Sequence, residues 1–406
     1  MRLNRRHGLH FHMGRPQKLA ALLLLVFLGE CLWVIGHQQI SSDDYRYARC
    51  GREMWERPSP LAGYFTSCGN LNGDGTFAYR LAAFPLTTQR LVLLASDIFR
   101  KPADRLYTSG TLNGSTWEAR HQVAYVKWLM HLPFAFFAVW LGGGLWWVSR
   151  RLFGDEGGFL ALALYVFSPM VVRYAVRPNN EVLAMWGLYG LVYTAMGVAH
   201  ALQGPRSKWR PRIALLTLAL GLTAAAHLLA AFAGFIASVV LMFYLAERRR
   251  SAVILVLMWA AIGALVIEFA FFGFHLAPFS YVFTGGGGRF WFSLEQPWFF
   301  ARNQANWPVL IAAGVALMLW MAVRRSRYVG NSVPLVLTLM VCFLTTTQVY
   351  SNAVLWALPF LFTFIGGVFA DVLETKQRKL FLAVAGLVVA GEAVACLSSL
   401  PSLAKL

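Results

Sequence analysis

The sequence predicts an all-α polytopic membrane protein, and three observations carry that prediction. Apolar runs long enough to cross a bilayer recur along the whole chain. Charged residues make up only 13% of the 406, against 58% hydrophobic ones, whereas a soluble domain carries charge on about a quarter of its residues. The excess of Lys and Arg, a formal net charge of +18, lies mostly between the apolar runs, where it meets anionic headgroups and fixes orientation. This balance excludes a soluble enzyme, a disordered chain and a nucleic-acid-binding module, so no nucleic-acid partner is expected.

A basic N-terminal stretch leads into the first run, 19–36, with no small-residue cleavage site behind it, and so reads as a retained signal anchor. Further runs occupy 124–148, 157–172, 182–201, 252–272, 308–323, 333–348, 353–370 and 380–400. The stretch 213–246 is too long for one ordinary span and short for two, with a turn expected at Ala224-Ala225-Ala226-His227. Charge decides the count. With that stretch as a hairpin, 20 Lys and Arg face the cytoplasm and the short outer loops hold 5, the long first loop having the other 11. A single span there reverses everything downstream, leaving 14 inside and 22 outside. The positive-inside rule favours the hairpin.

The expectation is therefore one domain over 1–406 with about 11 transmembrane helices, the N-terminus cytoplasmic and the C-terminus outside. Loop 37–123 and the aromatic, Gly-rich loop 273–307 then lie outside with the turn Arg173–Glu181. No internal repeat is visible, which argues against an inverted-repeat transporter. Cys31, Cys342 and Cys396 fall in apolar runs, as small buried hydrophobes do. Cys50 and Cys68 share the first loop and are disulfide candidates if it lies outside the cytoplasm.

Chemistry gathers on the expected outer face. Asp43 and Asp44 follow the first span by seven residues, and adjacent carboxylates repel, which tends to raise the pKa of one. The pair suits a general base or part of a metal site, and equally the cap of a helix. Residues 88–99 place Leu91, Leu94, Ala95 and Ile98 on one side of an amphipathic helix. Gly285 to Gly288 form a hinge beside Phe290-Trp291-Phe292, either a gate or an interfacial aromatic belt. Glu30, Glu268 and Glu392 lie inside spans, where ionisable groups are costly and commonly functional. They favour a rival reading, a proton-coupled transporter or lipid flippase. A non-catalytic membrane scaffold is the third.

Phe153-Gly154, the Ala/Leu run 161–167 closing in Ser168-Pro169, and Arg173-Tyr174-Ala175-Val176-Arg177-Pro178-Asn179-Asn180-Glu181 carry a resemblance. They resemble the integral-membrane GT-C glycosyltransferases, in particular the RgtA/B/C/D-like and aminoarabinose-transferase-like group that takes sugars from polyprenyl-phosphate carriers. In that group an acidic pair follows the first span, as Asp43-Asp44 does here. Tyr79 to Pro85 is similar to the second half of the group's amphipathic segment, and Val349-Tyr350-Ser351-Asn352 through Leu358-Pro359 to its late Arg-Tyr…Pro span without the arginine. The group's turn usually carries Asp where this chain has Asn179-Asn180-Glu181.

The resemblance implies a GT-C-type bundle in a plasma (inner) membrane, acting on its extracytoplasmic face. The partners implied are a polyprenyl-phosphate-linked sugar, membrane lipids, and an acceptor lipid, glycan or protein. Asp43 or Asp44 takes the proton of the acceptor hydroxyl, with inversion, and Glu181 orients the acceptor or shares a divalent cation (Mg or Mn) with Asp43. Arg173, Arg177, Arg289 and Arg302 are the candidates for the leaving phosphate, where charge grows in the transition state. His121, Lys127 and Tyr350 are secondary candidates.

Overall fold

The computed structural model describes residues 14–56, 68, 75–98, 123–205, 209–276, 279, 290–322, 328–346 and 352–405. Fourteen α-helices account for nearly all of them. Helix α1 (Arg15–His37) is followed by α2 (Ser42–Glu56) and α3 (Phe77–Ile98). Next come α4 (Val123–Val166), α5 (Pro169–Ala175), α6 (Asn180–Leu202), α7 (Trp209–Ala226), α8 (Leu228–Leu245) and α9 (Arg250–Phe271). The remainder are α10 (Glu295–Arg302), α11 (Trp307–Ala322), α12 (Tyr328–Cys342), α13 (Ala353–Leu373) and α14 (Arg378–Leu403). Eight segments are long and apolar enough to cross a membrane, which makes this a multi-pass membrane protein.

One of the eight is two spans. Gly154 adopts φ 88, a left-handed conformation glycine takes without penalty, and reverses α4 there. The reversal lets the Tyr165 hydroxyl donate to Ala138 O at 2.7 Å. The hairpin expected in 213–246 also forms. His227, extended at φ −154 and ψ 115, separates α7 from α8. Both free ends return to the end of α6: Gln203 Nε2 donates to Leu245 O (2.7 Å) and Trp209 Nε1 to Gly204 O (3.3 Å). With α7 and the shorter apolar α12 included, all eleven expected spans have a helical counterpart.

Two boundaries differ from the sequence reading. The run 157–172 is helical only to Val166, because Pro169 has no amide proton to continue the ladder and instead starts α5. The run 333–348 leaves the helix after Cys342, and Leu344–Thr346 pairs antiparallel with Phe290–Phe292. β-branched Thr345 and Thr346 suit a strand better than a helix. This two-stranded ladder is the one departure from an all-α fold among the described residues.

Helix α13 is the axis of the bundle, buried over almost all its length and packed on α4, α6 and α12. Its crossing with α4 is tight: a Cβ on Gly366 would meet Gly157 O at 2.5 Å, so only paired glycines let the backbones approach. Neither α2 nor α3 is among the helices long and apolar enough to cross a membrane. They pack on each other at the end of the bundle where α1 finishes and α6 and α13 begin. Cys50 on α2 is bonded to Cys68. The amphipathic stretch expected at 88–99 is the second half of α3, which starts eleven residues earlier at Phe77.

Candidate functional site

Four local structures build this end of the bundle. Helix α2 begins with a reciprocal cap, Ser41 N donating to Asp44 Oδ2 (2.8 Å) and Asp44 N to Ser41 Oγ (3.2 Å). Helix α6 begins on Asn179, whose side chain accepts from Val182 N at 2.8 Å. Helix α13 begins on Asn352, which accepts from Leu355 N at 3.3 Å. Helix α1 ends under Lys127, whose ammonium donates to Gly36 O and Gln38 O, both at 3.0 Å. The secondary candidate Lys127 is thus a cap on carbonyls that α1 leaves open.

The adjacent acids face opposite ways. The Asp43 side chain is 72% exposed and stands 3.6 Å from Arg46, while that of Asp44 is 5% exposed. Asp44 Oδ1 lies 3.4 Å from Nε2 of His131, a wholly buried residue of α4. Burial alone would raise the Asp44 pKa, but hydrogen bonding to His131 and the Ser41 contacts outweigh it and hold the carboxyl below its ordinary value. For Asp44 this reverses the rise expected from mutual repulsion: the two carboxylates do not share an environment.

From His131 the contacts continue. Its Nδ1 meets Gln38 Nε2, and that amide donates to Val176 O at 2.9 Å. The turn Arg173–Glu181 is thereby joined to the acidic end of α2, with Arg177, half-buried, one residue beyond the junction. Arg173 is exposed, 5.9 Å from the ring of Tyr174. Arg302 on α10 is also exposed, over Trp298 at 5.3 Å. Arg289, His121 and Tyr350 lie outside the described residues, as do Gly285 to Gly288.

Glu181 is buried, and both its oxygens accept protons: Oε1 from Asn352 N (3.1 Å) and Oε2 from Trp356 Nε1 (2.7 Å). It joins the start of α6 to the start of α13. Asn180 reaches the other way, exchanging bonds with Ala78 N (3.3 Å) and Gly75 O (3.2 Å) at the start of α3. No three His, Cys, Asp or Glu side chains among the described residues stand close enough to hold a metal ion. The pair named for a divalent cation does not fit one, because Asp43 is turned to solvent and Glu181 is occupied by two N–H donors.

The sequence reading missed His131 and Gln38. A signal for the first was present: an ionisable side chain inside an apolar run, one helical turn after Lys127. It also missed the clamp between α2 and α3, where half-buried Glu56 accepts from Arg52 Nε (2.8 Å), Thr87 Oγ1 (3.2 Å) and Arg90. Of the acids within spans, Glu30 lies 3.8 Å from Cys396 Sγ, on the same helix as fully buried Glu392, while Glu268 is on α9.

The fold defines a class: a multi-pass membrane protein built almost wholly of helices. Among solved structures the chain is similar to the crystal structure of ArnT from Cupriavidus metallidurans in the apo state, with a TM-score of 0.60 and 14% sequence identity. The match covers 97% of this chain and 66% of that one. At such identity the likeness establishes the fold alone. No protein-family model and no curated protein sequence matches the chain.

Proposed function

We propose that this protein is a membrane glycosyltransferase that moves a sugar from a polyprenyl-phosphate donor to an acceptor hydroxyl on the extracytoplasmic face of a plasma membrane. The observation that carries the reading is the junction through Gln38, which joins a buried carboxylate on α2 to the turn bearing Arg177 within a GT-C-type fold. The ArnT structure supports a lipid-linked donor by analogy of fold. The Cys50–Cys68 bond supports an oxidising compartment for α2, and the positive-inside count supports the same side.

In the proposed reaction the acceptor oxygen attacks the anomeric carbon from the face opposite the phosphate. The bond from that carbon to the phosphate oxygen breaks, the acceptor proton passes to Asp44, and the polyprenyl phosphate leaves with one more negative charge. The contacts from Ser41 and His131 support Asp44 over Asp43, since they hold its pKa low against burial and keep its carboxylate in the ionised form a base needs. Arg177, with Arg173 and Arg302 nearer the surface, would stabilise the charge growing on the phosphate. No step uses a metal.

The test is transfer in proteoliposomes, with undecaprenyl-phosphate sugars labelled in the sugar and a cell-envelope extract as acceptor. Label should move into the extract from at least one such donor and from no nucleotide sugar. Label remaining on every polyprenyl donor overturns the reading. The transporter reading predicts pH-dependent uptake without any change of covalent bonds.

A further inference from the structure

We propose that His131 is a positioning residue for Asp44: a neutral imidazole, fixed with its proton on Nε2 by Gln38, that donates that proton to Asp44 Oδ1. The proposal rests on the sugar-transfer reading of Asp44.

The tautomer follows from the partners. The Gln38 side-chain amide is buried and donates to Val176 O at 2.9 Å, so its NH2 group is the end that faces His131. Turning the amide over would set Oε1 against the Val176 carbonyl, two acceptors with no proton between them. With NH2 directed at Nδ1, that ring nitrogen must accept, and the single ring proton is on Nε2, 3.4 Å from Asp44 Oδ1. A proton on Nδ1 as well would place two N–H groups head-on where the ring is fully buried.

The same contacts explain why a histidine stands here. Asp44 Oδ2 is held by Ser41 N at 2.8 Å, and His131 Nε2, which has no other partner among the described residues, stands 3.4 Å from the other oxygen, so the proposed bond would direct both oxygens. Because His131 is buried, it acts on the acceptor only through Asp44. Gln38 carries the constraint onward to Val176, so the base and the segment bearing Arg177 are set in register by one side chain.

Two measurements test this. The first is nitrogen-15 histidine solid-state NMR of the full chain in lipid at pH 7, with the His131 signals identified by their loss in His131→Gln. An unprotonated Nδ1 and a protonated Nε2 are expected, and an imidazolium or the opposite tautomer overturns the proposal. The second is turnover of the undecaprenyl-phosphate sugar that the wild-type protein consumes. His131→Gln places an amide N–H at the position of Nε2 and should keep turnover within roughly threefold. His131→Phe removes the donor and should lower kcat by about 100-fold with KM for the donor unchanged. Equal loss in both variants, or loss in neither, overturns the positioning role. Full activity in Asp44→Asn instead overturns the transfer reading, while the NMR result still decides the tautomer.

Discussion

Glu181 Oε2 accepts the indole N–H of Trp356 at 2.7 Å, and its Oε1 accepts the main-chain N–H of Asn352 at 3.1 Å, so one carboxylate holds the start of α13 against the start of α6. Two helix N-termini converge on this acid, where their dipoles favour negative charge. Glu181→Gln keeps one acceptor and turns an NH2 group toward the other donor. That should cost about 1–3 kcal/mol, read as a lower melting temperature in detergent. Trp356→Phe removes one bond and should cost less. Wild-type stability in Glu181→Gln would mean that this carboxylate does not secure α13.

The cap of α2 should respond to acid. The Asp44 carboxyl has a lower pKa folded than unfolded, so the folded chain binds fewer protons and stability rises with pH through this range. The contribution is complete above the unfolded value of about 4 and is lost as the pH falls through the folded one. Melting temperatures measured from about pH 6 down to about pH 3 should therefore fall more steeply in the wild type than in Asp44→Asn. Parallel curves would contradict the assignment.

Glu56 accepts from Arg52, Thr87 and Arg90 in a site where its own side chain is 7% exposed. Removing one member of a buried charged group leaves the others poorly compensated, at about 3–5 kcal/mol. Glu56→Ala should loosen α2 from α3 and make the Cys50–Cys68 bond reducible by dithiothreitol under native conditions. Resistance equal to the wild type would show that the clamp is dispensable.

Lys127→Met should act on α1 alone. The variant keeps the apolar stem and removes the donor to Gly36 O and Gln38 O. Two carbonyls lose a charged partner, at roughly 1.5–3 kcal/mol each at most. Hydrogen exchange should quicken over residues 33–40 and not in α13. Unchanged exchange there would place the ammonium's role elsewhere.

The spans were legible because burial in a bilayer demands uninterrupted apolar length, and charge alone chose the hairpin that His227 forms. The ends of α4 and α12 were less so: hydropathy does not register Pro169 or the β-branched threonines that stop a helix inside an apolar run. In the site, Asp43 and Asp44 were found together as a pair, yet the structure gives them opposite surroundings. Which of two neighbours on a helix turns inward depends on what packs against it, here His131, 87 residues away in the chain. Glu181 was singled out for chemistry, and its two bonds to α13 were invisible because residues 352 and 356 lie 171 and 175 residues away in the chain.

The most direct test of the account is single-turnover kinetics with Asp44→Asn and Asp43→Asn, using the polyprenyl-phosphate sugar consumed by the wild-type protein. Asp44→Asn should slow the chemical step by roughly 100- to 10,000-fold while the donor still binds, and Asp43→Asn should stay within about tenfold. Wild-type turnover in Asp44→Asn would contradict it.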